Sequence, residues 1–236
     1  MMFYLMIFTF SLLARAQETI DESKLKYRND LYYKINSDVP FTGKVVKYHE
    51  NGQKKAESNL REGKLHGLGS SWHENGQKKA EINFKEGKEH GLAIQWHKNG
   101  QKKYEGNVKD GEYHGLHTGW YESGQKRLER NWKEGKRNGL STEWYENGQK
   151  KDEHNYKDGK KHGLYTQWHK NGQKSYEGNY KDGELHGSIK WYENGQKEEE
   201  ANWKDGKANG LYTRWDKNGK ITEQNYYENG KEVPRP

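Results

Sequence analysis

The chain has 236 residues, 28 glycines, no cysteine and a formal charge of +7. Leu, Ile, Val and Phe together make up only about 14 % of it, under the roughly 20 % below which a charged chain is usually disordered and too little for a thick aliphatic core; the missing cysteines exclude a disulfide framework. Folding must therefore rest on backbone pairing and on 9 Trp and 17 Tyr, which recur at fixed spacing.

Residues 3–13 form an almost unbroken apolar run, followed by Ala14-Arg15-Ala16. A short apolar stretch ending in small-x-small predicts a signal peptide, residues 1–16, cleaved after Ala16; the protein is then exported to the periplasm, the envelope or the medium. Residues 17–40 lie outside the repeat that follows. Their first part, 17–29, is expected as a charged leader, and 31–35 as a capping strand.

Residues 41–231 are an array of about eight units with a 24-residue period. Asn51-Gly52 returns as Asn75-Gly76, Asn99-Gly100 and onward to Asn218-Gly219, with one step, at Asn194-Gly195, a residue early. Two further glycine columns keep the same step, one starting at Gly63 and Gly87, the other at Gly67 and Gly91. In each unit, Leu68, Ser70 and Trp72 alternate with Gly69, Ser71 and His73, the pattern of a half-buried strand. Asn-Gly is expected to close a two-residue type I′ hairpin. The return strand, residues 78–84, ends in Phe84, whose place is taken later by Trp132, Tyr156, Tyr180 and Trp203. The frequent glycines and the lack of a 3.6-residue apolar stripe exclude helix.

These features predict an all-β fold, an elongated single-layer antiparallel meander of tandem hairpins in which stability passes between nearest neighbours. Trp72, Trp96, Trp120, Trp144, Trp168, Trp191 and Trp215 form one column, expected to interleave with the Phe84 and Trp132 column on a shared face. The tail, 232–236, ends the sheet through Pro234, which cannot donate to a further strand.

The run Tyr104-Glu105-Gly106-Asn107-Val108-Lys109-Asp110-Gly111-Glu112-Tyr113-His114-Gly115 and its counterpart at 176–187 resemble MORN repeats, whose pattern is Tyr-Glu-Gly-x-aromatic-x-Asp/Asn-Gly-x-x-His-Gly-x-Gly. Leu116, Leu140 and Leu164 stand where that pattern has its last glycine, and a Trp-Tyr-Glu-Asn-Gly-Gln hairpin is inserted at nearly every unit. Both departures resemble the bacterial YwqK-type antitoxin-like variant of the family, as does the lead-in Asp38-Val39-Pro40-Phe41-Thr42-Gly43-Lys44-Val45. The resemblance covers about residues 31–231. It implies a scaffold for proteins or membranes and, more narrowly, an antitoxin- or immunity-like role.

No residue pattern calls for a cofactor, a metal or catalysis. His66, His90, His114, His162 and His186 share a column with Asn138 and Asn209, an exchange that fits a backbone position at positive φ better than a metal ligand. A second column, His49, His73, His97 and His169, alternates with Tyr121, Tyr145 and Tyr192 and is expected as exposed rings at strand ends. There is no nucleophile elbow, and the Glu column starting at Glu57 and Glu81 is a repeat feature, not an acid–base pair. Lys54 and Lys55, Lys78 and Lys79, Lys102 and Lys103, Lys126, and Lys150 and Lys151 follow the Asn-Gly turns and are expected to line one edge as a cationic ladder. The Trp column and this ladder are the candidate partner-binding residues. The expected partner is a protein, toxin-like in the narrower reading, with an envelope glycan or an anionic lipid surface as alternatives and no nucleic acid.

Overall fold

Short alternating segments broken by glycine can satisfy their backbone groups only by pairing with their neighbours, and this chain does little else. The computed structural model describes residues 17–236; the expected signal peptide lies outside the described residues. The strands before the array are β1 (Thr19–Asp21), β2 (Leu25–Arg28) and β3 (Leu31–Lys34). The array begins with β4 (Gly43–Tyr48), β5 (Lys54–Arg61), the broken pair β6 (Lys64–Leu65) and β7 (Gly67–Trp72), then β8 (Lys78–Lys85) and β9 (Lys88–Trp96). It continues through β10 (Lys102–Lys109), β11 (Glu112–Trp120), β12 (Lys126–Lys133), β13 (Lys136–Trp144), β14 (Lys150–Lys157), β15 (Lys160–Trp168), β16 (Lys174–Lys181) and β17 (Glu184–Trp191). It ends with β18 (Lys197–Lys204), β19 (Lys207–Trp215), β20 (Ile221–Glu228) and β21 (Lys231–Val233), stopping at the residue before Pro234.

From β4 to β21 the strands pair antiparallel in chain order, with β6 and β7 both lying against β5, and with β1 they make one 19-stranded sheet. The cap differs from expectation. β3 pairs with β2 in a small separate hairpin, and the sheet edge is closed by β1, parallel to β4 with Ile20 opposite Val45. Gly43 makes this close approach possible: a Cβ there would stand 2.6 Å from the Glu18 carbonyl, which accepts the Lys44 N–H at 2.7 Å. Helix is absent from the array, and among the described residues the leader holds one 3-10 turn, Glu22–Lys24, where the Asp21 side chain accepts from the Ser23 N–H. Among the described residues Phe41, Val45 and Leu60 form the one compact apolar cluster, with Ile20, Leu25, Tyr32 and Leu65 packed against it.

The two turns of a unit exchange the roles read from the sequence. The type I′ hairpin belongs to Lys-(Glu/Asp)-Gly: Glu86, Asp110, Glu134 and Asp158 have φ of 49–54°, each followed by a glycine at positive φ. At Asn-Gly only the glycine is left-handed. The Gly76 N–H donates to the His73 carbonyl at 2.9 Å and the His73 N–H to the Gln77 carbonyl at 2.8 Å, which makes a longer loop. Asn75 is there for its side chain: its Oδ1 accepts the Gln77 N–H, and its Nδ2 donates to the Lys98 carbonyl of the next unit at 2.9 Å.

A wide bulge sets the remaining register. Ile82 pairs with Ala93 and Phe84 with Glu89, so three residues oppose Asn83 alone. Gly91 takes φ 101° there, and Asn83 Nδ2 donates to the Leu92 carbonyl at 3.1 Å. The early repeat is absorbed at this point. Asn179 faces Gly187 and Tyr180 faces Leu185, one residue fewer, and Gly187 is the member of its column with no positive φ.

Cross-strand partners share a face. Gly67 pairs with Phe84 and Gly69 with Ile82; Leu68 pairs with Asn83 and Ser70 with Glu81. Trp72 lies an odd number of residues from Gly67 and so falls on the Leu68 side. The Trp column and the Phe84–Trp132 column therefore occupy opposite faces and do not interleave. The alternation also buries the other side: Leu68, Leu92, Leu116, Leu140 and Leu164 are 40–50 % exposed.

Candidate functional site

The Trp face is nearly the same in every unit. Lys54 Nζ sits over the Trp72 ring, and Lys78, Lys102, Lys126, Lys150, Lys174 and Lys197 sit over Trp96, Trp120, Trp144, Trp168, Trp191 and Trp215, all at 5.2–5.9 Å. The same lysines pair with the carboxylate three residues on: Lys78 with Glu81, and the other six with theirs at 2.5–2.8 Å. All seven indoles are half-buried under these lysine chains. The cover that the Trp column needs thus comes from within the chain, and the first lysine of each pair is engaged. Of the second lysines, Lys55, Lys79 and Lys103 stand exposed with no carboxylate at ion-pair distance among the described residues, while Lys151 lies 3.7 Å from Glu143.

This division has a stability consequence. Lys102→Ala removes a stacked and ion-paired chain and is expected to cost about 1 kcal/mol, whereas Lys103→Ala stays within about 0.5 kcal/mol. Urea midpoints of the two variants check it; equal shifts would show that the Trp–Lys–Glu contact carries no stability.

Neither histidine column behaves as expected. His49, His73, His97 and His169 are half-buried, each with Nε2 3.0–3.1 Å from the Trp carbonyl of the next unit. The Tyr121, Tyr145 and Tyr192 hydroxyls donate to the same acceptor at 2.8–2.9 Å. The last unit has no such successor, and there Asp216 turns its carboxylate to the N–H groups of Asn218 and Lys220 instead. His66, His90 and His162 are not at positive φ; the glycine after each is. Their Nδ1 atoms lie 3.1–3.8 Å from the acid at the following type I′ turn, Glu86, Asp110 and Asp182. Both columns tie one unit to the next. Among the described residues no three His, Asp or Glu side chains converge as a metal site.

The opposite face changes from unit to unit. One column runs Gly69, Ala93, His117, Ser141, Tyr165, Ser188, Tyr212; its cross-strand neighbours run Ile82, Gly106, Arg130, His154, Gly178, Ala201, Asn225. In the middle of the array this variation produces a polar, aromatic surface. His117 is completely buried, with one ring nitrogen bonded to the Tyr104 hydroxyl and Nε2 2.6 Å from the Asn107 carbonyl. Burial lowers its proton affinity and pushes Tyr104 up to about 12. Arg130 Nη2 donates to Glu143 Oε1 at 2.5 Å; burial alone would raise Glu143, but the Arg130 hydrogen bond and charge outweigh it and hold the carboxyl low. Its cross-strand partner Asp152 is pushed up, by burial first and then by Glu143. His154 is pushed down to about 4 by burial and by Lys161 and Arg137. It is 8 % exposed, packed edge-on between Tyr156 and Tyr165 with ring centroids 4.8 and 4.9 Å away.

Apart from Tyr104 and Tyr156, which belong to repeat columns, none of these residues was singled out from the sequence. The available signal was repeat-to-repeat variation. Columns that never change hold the ribbon together, and columns that change are free to differ because something other than the fold sets them.

The family model described as MORN repeat variant matches residues 41–61, 65–86, 89–110, 113–134, 137–158, 161–182, 188–205 and 208–229. The shortest match, 188–205, begins just past the bulge that has one residue fewer. No curated protein matches the chain.

Proposed function

Because the chain belongs to the MORN repeat variant family, we propose that it is a non-enzymatic scaffold binding a protein partner across the face of changing columns. Repeats of this class serve as protein- or membrane-binding modules. The observation that supports the protein is the contrast between faces. A uniform lattice such as a polysaccharide or bilayer would be met by a uniform surface, while a folded partner presents a different side chain at each ~10 Å step. The Trp rings that a glycan would stack on are already covered by lysine chains, and the first lysines of the ladder are held by Glu. The two buried imidazoles, His117 and His154, are withdrawn from any substrate. In this reading the role is antitoxin- or immunity-like, with a toxin-like partner met outside the cytoplasm; the lead-in 38–45 and the apolar run 3–13 support that narrower part.

The test compares the two faces. A partner captured by the full chain from extracts of its own source is expected to be lost with Tyr165→Ala/Tyr212→Ala, on the changing face. It is expected to be kept with Leu116→Ala/Leu164→Ala, on the Trp face. The reverse pattern, or retention by both variants, overturns the reading.

A further inference from the structure

We propose that the fifth and sixth repeats carry a receptor site for acidic residues of the partner, with Arg137 and Lys161 as the receiving cations; this rests on the reading that the changing face binds protein. Across neighbouring strands that face presents Trp132, Arg137, Tyr156, Lys161 and Tyr180 in order, Trp132 opposite Arg137, Gly139 opposite Tyr156, Tyr156 opposite Lys161, and Gly163 opposite Tyr180. Arg137 lies 5.7 Å from the Trp132 ring and 5.1 Å from the Tyr156 ring, and its Nη1 donates to the Tyr156 hydroxyl at 2.7 Å. Lys161 Nζ lies 4.2 Å from the Tyr165 ring and 5.1 Å from the Tyr180 ring. Both cations are half-buried among aromatic rings, and among the described residues neither has a carboxylate at ion-pair distance. Three other cations on this face are matched, Arg130 with Glu143, Lys190 with Glu199 and Lys47 with Glu22, while Arg214, which is not, stands exposed to water. A partly desolvated cation without a counter-charge is costly, and an incoming carboxylate would relieve that cost twice here.

The charge around this row is concentrated in a way that solubility does not require. In the column holding Arg137 and Lys161 the other units place Leu65, Glu89, Tyr113, Leu185 and Ala208. The adjoining type I′ turns add exposed Lys133 and Lys136 against Glu134, and Lys157 and Lys160 against Asp158. Each of these two units thus carries an excess of two positive charges at this edge. The units on either side put Glu112 and Glu184 where Lys136 and Lys160 stand, and each carries an excess of one negative charge over the same positions. A cationic patch about 10 Å wide between acidic borders fits a short acidic segment with an aromatic side chain to lie on the rings. It fits a continuous polyanion or a bilayer poorly, since both would meet the borders.

The probe is a fluorescently labelled random copolymer of Glu and Tyr, followed by anisotropy with the full chain. Arg137→Gln/Lys161→Gln is expected to weaken binding roughly tenfold or more, and Lys85→Gln/Lys88→Gln, which removes the same charge elsewhere, by less than about twofold. Equal weakening by both pairs, or unchanged binding with Arg137→Gln/Lys161→Gln, overturns the site. So does tighter binding to phosphatidylglycerol vesicles than to the copolymer, which would assign the patch to lipid. If the captured partner survives Arg137→Gln/Lys161→Gln but not Tyr165→Ala/Tyr212→Ala, the acidic site falls while the protein-binding face stands.

Discussion

Gly106→Ala is expected to destabilise the array by about 2–3 kcal/mol, and the same substitution made on a His117→Ala background is expected to cost almost nothing. A Cβ on Gly106 would lie 2.5–2.7 Å from Cγ, Nδ1 and Cδ2 of His117, far inside van der Waals contact. The ring cannot retreat. It is fully buried, bonded at both nitrogens, and packed edge-on against Tyr113 with centroids 4.6 Å apart. Gly106 is not at positive φ, so the cost is one of space and not of backbone strain. Gly111 supplies the control. It has φ 89° and nothing within 4 Å of a built Cβ, so Gly111→Ala should cost about 1 kcal/mol through the backbone, and His117→Ala should not relieve it. Urea midpoints for the two cycles decide the matter: additive behaviour of Gly106→Ala and His117→Ala would mean that the ring does move aside.

The same contact shows how much of this protein the sequence makes legible. Period, strand alternation and glycine columns are visible because the interactions behind them are local and recur in every unit. The β architecture follows from them and stands in the structure. What failed needed register. Asn and Asp/Glu both tolerate left-handed φ, so the residues alone do not say which turn is type I′. The answer depends on the Lys98 carbonyl being within reach of Asn75, a contact made one unit away. The face of the Trp column also needs an anchor, since the odd step from Gly67 to Trp72 decides the side only once Gly67 is known to oppose Phe84. Arg137 and Lys161 escaped notice for a different reason. Attention to the repeat favours residues that recur, and these two matter because they do not recur.

Along the changing face every large ring has a small residue on at least one side, even where His154 and Tyr165 face each other, so each unit's choice depends on the next. Gly106 lies between Ala93 and His117, and Gly178 between Tyr165 and Ser188. A large ring in one strand thus needs a small neighbour in the adjoining one. The face can vary for a partner only within this packing rule, and the unvarying Trp–Lys–Glu lattice on the other side holds the ribbon together while it does.

Acidification provides the second large effect, and His154 gives its sign. In the unfolded chain an imidazole titrates near 6.5; in the fold burial, Lys161 and Arg137 push His154 down to about 4. Between those values the unfolded chain takes up a proton that the folded chain refuses, so the stability present above pH 6.5 is lost as the pH falls through this window. The loss approaches about 3 kcal/mol at the acid end. His117, also lowered by burial, adds in the same direction. Asp152 opposes them: its raised carboxyl is more readily protonated in the fold than outside it, so acidification into the carboxylate range returns part of the stability. The steepest decline is therefore expected between pH 6.5 and 5, with the raised Asp152 carboxyl opposing it. His154→Ile places at this position the residue that unit two already carries as Ile82, and it should flatten the decline without abolishing it, because His117 remains. Thermal midpoints measured at pH 7, 6 and 5 provide the comparison. If His154→Ile keeps the full slope of the parent, the proton is going elsewhere and the buried imidazole does not set the acid limit of the fold.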